Sequence, residues 1–181
     1  MNVGIYGGSF DPPHVGHLIL AEHMAERFSL EIVWFIPSSV PPHKQDIQMT
    51  PAEHRLAMVR LAIEGNPKFA VSDREIRRAG VSYTVETLEE MHQEHPHDSL
   101  FFLLGADNLR DFDSWRTPER ILEIATLVVM TRPGFNTAGI PYASHPNVRT
   151  VDVPDIEVAS RDLRQRVAAG KSIRYMVPLS D

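Results

Sequence analysis

The chain has no cysteine. This absence excludes disulfide bonds, thiolate metal ligands and a cysteine nucleophile. The sequence also lacks an apolar run near the roughly 20 residues that a membrane-spanning helix needs. Its first residues have the pattern of a β-strand and not that of a secretory signal. We therefore expect a cytoplasmic protein that does not associate with membranes.

Positive charge is scarce as well. The 18 basic side chains are outnumbered by 24 acidic ones, which gives a net charge of −6 and argues against double-stranded nucleic acid as a partner. A local basic cluster can still bind a small anion. The 181 residues, 43% of them apolar, suffice for one α/β domain with a substantial core. We predict a single domain over residues 1–181, and the sequence is compatible with a homo-oligomer.

Strand and helix patterns alternate along the chain, which predicts a parallel sheet flanked by helices. Thr50 and Thr117 are expected to cap two of the helices, each with a proline at the first helical position. The predicted fold is a Rossmann-like, doubly wound sheet of five to six parallel strands, which binds ligands at the carboxyl ends of its strands. Strands are expected at 2–6, 31–36, 69–71, 100–104, 126–131 and 147–153, and the main helices at 15–28, 50–65, 83–94 and 161–169.

The most specific segment follows the first strand and reads Gly-Gly-Ser-Phe-Asp-Pro-Pro-His-Val-Gly-His over residues 7–17. Glycines let a backbone approach a phosphate closely, and free amides at a helix start favour negative charge. His14 and His17 lie three residues apart and therefore share one side of the helix. The two histidines are less well explained as a zinc site than as a phosphate site, because a zinc site takes three or four protein ligands. The segment thus predicts a nucleotide phosphate site, with Asp11 organising the turn.

This segment resembles the signature of the H-x-G-H nucleotidylyltransferases, with His14-Val15-Gly16-His17 at its core. Later strings resemble the bacterial nicotinate-nucleotide adenylyltransferases of that superfamily. These strings are Pro41-Pro42-His43-Lys44, Ser82-Tyr83-Thr84, Gly105-Ala106-Asp107 with the following Trp115, Arg132-Pro133-Gly134 and the segment 157–164. The resemblance implies that the chain transfers the adenylyl group of ATP, assisted by Mg²⁺, to nicotinate mononucleotide, giving deamido-NAD and pyrophosphate.

The same resemblance implies roles for individual residues. His14 and His17 would stabilise the negative charge that spreads over phosphoryl oxygens in the transition state. A phosphate acceptor is already ionised, so this reaction needs no general base. Contacts to ATP and its phosphates are implied for Gly7, Gly8, Ser9, Phe10, Lys44, Gly105, Asp107, Arg132, Ser160 and Arg164, and contacts to nicotinate for Thr84 and Trp115.

Residue chemistry alone leaves a second interpretation open at several of these positions. Lys44 could be a solvated loop lysine, and Asp107 could cap a helix. Arg132 could form a salt bridge at the rim, while Thr84 could cap the helix that it begins. Trp115 could belong to the core.

The segment 157–164 departs most from the family pattern Ile-Ser-Ser-Thr-x-Ile-Arg. Ser160 and Arg164 match that pattern, whereas Ala159 and Arg161 replace a serine and the threonine. We hypothesise that Arg161 supplies charge in place of the lost hydroxyl. Two alternatives to the implied function stay open. One is a related transferase whose acceptor is nicotinamide mononucleotide or phosphopantetheine, and the other is a nucleotide-binding module without catalytic activity.

Overall fold

Six parallel strands form one sheet in a computed structural model, which describes residues 1–44 and 48–178 and gives only the backbone of Lys44. The strand order is β3-β2-β1-β4-β5-β6, and every neighbouring pair is parallel. The prediction of a doubly wound Rossmann-like sheet is confirmed, with six strands. They are β1 (Asn2–Gly8), β2 (Ile32–Pro37), β3 (Phe69–Val71), β4 (Ser99–Gly105), β5 (Thr126–Thr131) and β6 (Val148–Asp152).

Seven α-helices connect or flank these strands in the described part of the chain. They are α1 (Val15–Arg27), α2 (Ala52–Ala62), α3 (Arg74–Arg78), α4 (Thr84–Glu94), α5 (Ala106–Asp111), α6 (Pro118–Ile124) and α7 (Ser160–Ala168). Two single-turn 3₁₀ helices cover Pro42–Lys44 and Phe112–Ser114. None of the helices over residues 1–44 and 48–178 combines the length and apolar character that crossing a bilayer requires.

The chain reverses its direction across the sheet between β1 and β4. From β1 it adds β2 and β3 on one side, and then returns to add β4, β5 and β6 on the other. A crevice opens at such a switch point, because the connections leave the two central strands in opposite directions. The carboxyl ends of β1 and β4, at Gly8 and Gly105, therefore mark the expected site.

Side-chain alternation along β1 divides the core into two layers. Val3 and Ile5 pack in the layer that holds the inner faces of α4, α5 and α6. Tyr6 lies in the opposite layer, with side chains from α1 and α2. The central strands are buried on both faces, as their continuous apolar sequences predict.

The structure corrects several local predictions. Thr50 does not cap α2, because the helix begins at Ala52 and no side chain caps it. Pro118 is the first residue of α6 as predicted, but Thr117 adopts a left-handed backbone (φ 44°) and makes no capping hydrogen bond. Helix α3 was not predicted, because five residues are too few to show a helical period.

Candidate active site

The loop between β1 and α1 is held from two sides of the molecule. Arg55 of α2 donates from Nη1 to the Ser9 carbonyl (2.9 Å). From α7, Ser160 donates through Oγ to the Pro12 carbonyl and Arg164 through Nη1 to the Asp11 carbonyl, both at 2.7 Å. The strand-end loop is therefore fixed by residues far away in the sequence.

Asp11 organises this region, although not through amides of its own turn. Its Oδ2 accepts the backbone N–H of Thr50 at 3.1 Å. The carboxylate thus ties the first loop to the segment that enters α2.

His14 and His17 stack on one another at the start of α1. Their ring centroids are 3.8 Å apart and the ring planes differ by 25°. Nδ1 of His17 accepts the backbone N–H of His14 at 3.1 Å, so a neutral His17 carries its proton on Nε2. The glycine of the motif makes the stack possible, because a Cβ on Gly16 would lie 2.8 Å from two atoms of the His14 ring.

Both imidazoles are neutral at physiological pH. Burial lowers the pKa of His14 to about 4. Burial, and secondly repulsion from His14, lowers the pKa of His17 to about 3. Groups with such pKa values are poor proton acceptors at pH 7 but remain N–H donors, which fits charge stabilisation better than base catalysis.

Two cavities meet at the carboxyl ends of β1 and β4, and both are lined by Tyr6 and Gly105. The first, about 340 Å³, is called here the glycine-loop cavity. The second, about 470 Å³, is called the Arg132 cavity. Predicted site residues on the wall of the glycine-loop cavity are Gly7, Gly8, Ser9, Phe10, His17, Thr84 and Trp115, and those on the wall of the Arg132 cavity are Asp107 and Arg132.

A smaller recess of about 100 Å³ continues from the glycine-loop cavity, with Thr84 and Trp115 on the walls of both. Trp115 packs edge-on against Phe112 of the core, with ring centroids 5.2 Å apart, so it is both a core side chain and part of the recess. The guanidinium of Arg116 lies over the Tyr83 ring, 4.4 Å from its centroid, and both line the recess. A flat aromatic surface and a cation therefore stand beside the start of α4.

The structure decides some of the capping and salt-bridge interpretations that the sequence left open. Asp107 lies inside the first turn of α5, whose cap position is Gly105, so it is not an N-cap. Tyr83 occupies the cap position of α4, and Thr84 makes no capping hydrogen bond. The nearest described carboxylate to Arg132 is that of Asp155, at 3.9 Å, and the arginine side chain is largely exposed. The side chain of Lys44, the predicted phosphate contact, lies outside the described residues.

Sequence comparisons place the chain among known proteins. A model of the cytidylyltransferase-like family matches residues 5–166. A relative from Thermomicrobium roseum, named probable nicotinate-nucleotide adenylyltransferase, is 46% identical over 98% of this chain and 85% of its own length. A relative of the same name from Salinibacter ruber is 43% identical over 98% of this chain and 91% of its own length. The chain belongs to the nicotinate-nucleotide adenylyltransferase family.

The fold is that of solved adenylyltransferases. The Plasmodium falciparum nicotinic acid mononucleotide adenylyltransferase complexed with NaAD superposes with a TM-score of 0.79 at 21% identity, over 97% of this chain and 88% of that one. The same enzyme complexed with APC gives a TM-score of 0.76 at 20% identity, with the same coverage. At these identities the likeness concerns the fold alone.

The last motif, residues 157–164, contacts the first loop and the Arg132 cavity. The hydroxyl of Ser160 and the guanidinium of Arg164 are turned onto the first loop, as described above, and neither lines the two cavities that the described residues form. Arg161, proposed to replace the lost threonine, is exposed. Ala159 and Asp162 line the Arg132 cavity instead.

Three buried polar residues of the site were missed from the sequence. Arg55 is 1% exposed. It shares a helix face with Val59 and Ala62, so the sequence did carry one indication of its burial, namely a charged residue on the apolar face of a helix. Ser38 is buried on the wall of the glycine-loop cavity, and its Oγ has no partner among the described residues. Glu75 lies on the same wall, accepts the Thr87 hydroxyl at 2.6 Å, and has a pKa raised by burial. No sequence pattern pointed to Ser38 or Glu75.

Proposed function

We propose that the chain transfers the adenylyl group of ATP to nicotinate mononucleotide, releasing pyrophosphate and forming deamido-NAD. One observation carries the proposal. Two cavities of nucleotide size adjoin at Tyr6 and Gly105, and His17, with His14 stacked on it, lies on the wall of the first of them. An adenylyl transfer needs this layout, because two nucleotides must bring an acceptor phosphate and an α-phosphate together.

The glycine-loop cavity suits the acceptor nucleotide. Residues 7–10 line it, so we propose that these residues, for which the resemblance implies contacts to ATP, contact the acceptor phosphate as well. Its recess offers the ring of Trp115 for stacking on a pyridine. The free amides at the start of α4 favour a carboxylate over a neutral carboxamide. The guanidinium of Arg116, whose Nη1 also donates to Glu86 at 3.2 Å, adds positive charge beside them. These groups support nicotinate over nicotinamide mononucleotide as the acceptor.

The Arg132 cavity suits ATP. Arg132 on its wall presents a planar fork of N–H groups that matches phosphate oxygens. The reaction then joins an oxygen of the acceptor phosphate to the α-phosphorus and breaks the bond from that phosphorus to the pyrophosphate oxygen. The neutral imidazoles and the loop amides donate hydrogen bonds to the phosphoryl oxygens as charge develops there.

We further propose that Mg²⁺ enters with ATP. Among residues 1–44 and 48–178, no three His, Asp or Glu side chains come together as a protein-held metal site would require. Magnesium is commonly bound by substrate phosphates, water and one or two carboxylates, and Asp107 is a predicted contact on the wall of the Arg132 cavity. The ion would neutralise phosphate charge, while Asp107 would accept a hydrogen bond from a metal-bound water or a ribose hydroxyl.

The test is a pyrophosphate-release assay with ATP·Mg²⁺ and three separate acceptors: nicotinate mononucleotide, nicotinamide mononucleotide and phosphopantetheine. We expect turnover with nicotinate mononucleotide at the highest kcat/KM. The variant H17N removes a proposed donor to the phosphoryl oxygens and should lower kcat about 10²–10³-fold. Its matched control is H23Q, which changes an exposed histidine of the same helix. Turnover with phosphopantetheine only, or with none of the three acceptors, would overturn the proposal.

A further inference from the structure

The guanidinium of Arg55 is buried beneath the glycine loop and bonds to three separate chain segments. Its Nη1 donates to the Ser9 carbonyl at 2.9 Å, its Nε to the Thr50 carbonyl at 2.9 Å, and its Nη2 to the Ser39 carbonyl at 3.3 Å. The residue is 1% exposed and is among the largest fully buried side chains. Burying an arginine is costly unless its donors are satisfied, so this arrangement needs an explanation.

Two of the three bonded segments form part of the wall of the glycine-loop cavity. Ser9 lies on its wall, and Ser39 follows Ser38, which also lies there. Thr50 connects to the first loop a second time, through its N–H bond to Asp11. Arg55 itself is not among the residues that line the cavity. It therefore holds the loops that form the wall and does not touch the ligand.

The bond to Ser9 also sets the direction of the next amide. The carbonyl and the N–H of one trans peptide point in opposite directions, so a Ser9 carbonyl directed at Arg55 turns the Phe10 N–H away from it. That N–H has no acceptor among the described residues, and Phe10 lines the glycine-loop cavity. The Phe10 backbone is left-handed (φ 49°), a conformation that a non-glycine residue keeps only where surrounding contacts impose it.

We propose that Arg55 is a positioning residue, which aims the Phe10 amide at the phosphate of the acceptor nucleotide and keeps the loops after β1 and β2 in register. This inference rests on the proposed function. A lysine cannot replace the arginine here, because a single ammonium lacks the planar fork that reaches three carbonyls. The Arg132 cavity does not include the bonded segments, so the effect concerns the acceptor more than ATP.

The kinetic test compares R55K with R60K, which changes an exposed arginine of the same helix. For R55K we expect kcat/KM for nicotinate mononucleotide to fall about 10²-fold, since a misplaced contact of about 1 Å can cost that much, while KM for ATP stays within about threefold. We expect R60K to behave as the wild type. Methylguanidinium should partly restore the activity of R55A and leave that of R60A unchanged. An R55K protein with the kinetic constants of the wild type would overturn the inference.

A second measurement does not depend on the reaction. The backbone N–H groups of Ser38, Ser39 and Thr50 donate to the Gly8 carbonyl, the Ser82 hydroxyl and the Asp11 carboxylate. In R55K these amides should exchange their hydrogens with solvent about tenfold faster, with unchanged protection in β5. Unaltered exchange at these loops would refute a positioning role whatever the substrate. If the wild type fails to use nicotinate mononucleotide while R55K still loosens the loops, the proposed function fails and the structural role of Arg55 survives.

Discussion

The stacked histidines should make the stability of the protein depend on pH in a defined direction. The perturbation is the double variant H14Q/H17N, which removes both titrating rings. In the unfolded chain each histidine has a pKa near 6.5, whereas burial lowers the pKa of His14 to about 4 and that of His17 to about 3 in the folded protein. The unfolded state therefore binds more protons between these values.

The sign and size of the effect follow from proton linkage. Because the folded pKa values are depressed, the stabilisation is complete above about pH 6.5 and is lost as the pH falls toward 4. Each ring contributes a slope approaching 1.4 kcal/mol per pH unit, so the free energy of unfolding falls by about 4 kcal/mol for the pair between pH 6.5 and 4.5. That loss is a large part of the total stability of a typical domain, which is about 5–15 kcal/mol.

Urea unfolding at pH 7.5, 6.5, 5.5 and 4.5 would measure this loss. Carboxylates and the other histidines titrate in both proteins, so the informative quantity is the wild-type free energy of unfolding minus that of H14Q/H17N. The H23Q variant controls for loss of an exposed histidine. A difference that stays constant with pH, or grows as the pH falls, would refute the burial argument.

Three substitutions test separate parts of the site. In G16A the added methyl would lie 2.8 Å from the His14 ring and displace it, so kcat should fall about 10²-fold. A G16A variant with full kcat would contradict the need for glycine. W115A should raise KM for nicotinate mononucleotide about 10-fold or more through lost stacking and leave KM for ATP unchanged; equal effects on both substrates in steady-state assays would argue against a pyridine recess. R132M should raise KM for ATP about 10-fold or more, since charge-assisted hydrogen bonds contribute roughly 1.5–3 kcal/mol; an unchanged KM would count against a phosphate contact.

The order of elements along the chain was predictable because strand and helix periods are local. The continuous apolar sequence of β4 and the proline that begins α6 both predicted what the structure shows. Helix α3 was missed because it is too short for a period, and the predicted Thr50 cap was wrong because α2 begins at Ala52, one residue later than expected, with Pro51 at the cap position.

The residues of the candidate site also fall into those that the sequence indicated and those that it did not. The glycine loop, the H-x-G-H motif and the Trp115 and Arg132 positions were found because each follows a strand, and parallel strands bring such ends together. Ser38, Arg55 and Glu75 were not found, because their roles come from burial. A sequence shows that a residue is polar, but only packing shows that its polar atoms are enclosed.

The amino-acid sequence alone identifies the family, the parallel sheet and the histidine pair, because these depend on residue type, spacing and strand ends. Only the tertiary structure shows that His14 is buried and His17 partly buried, that burial lowers the pKa of both, and that His17 lines one of two adjoining cavities. It also shows Ser160 and Arg164 bonded to the first loop. The physical reason is that a pKa, a cavity and the direction of an amide depend on neighbours that are distant in the chain, and folding selects those neighbours.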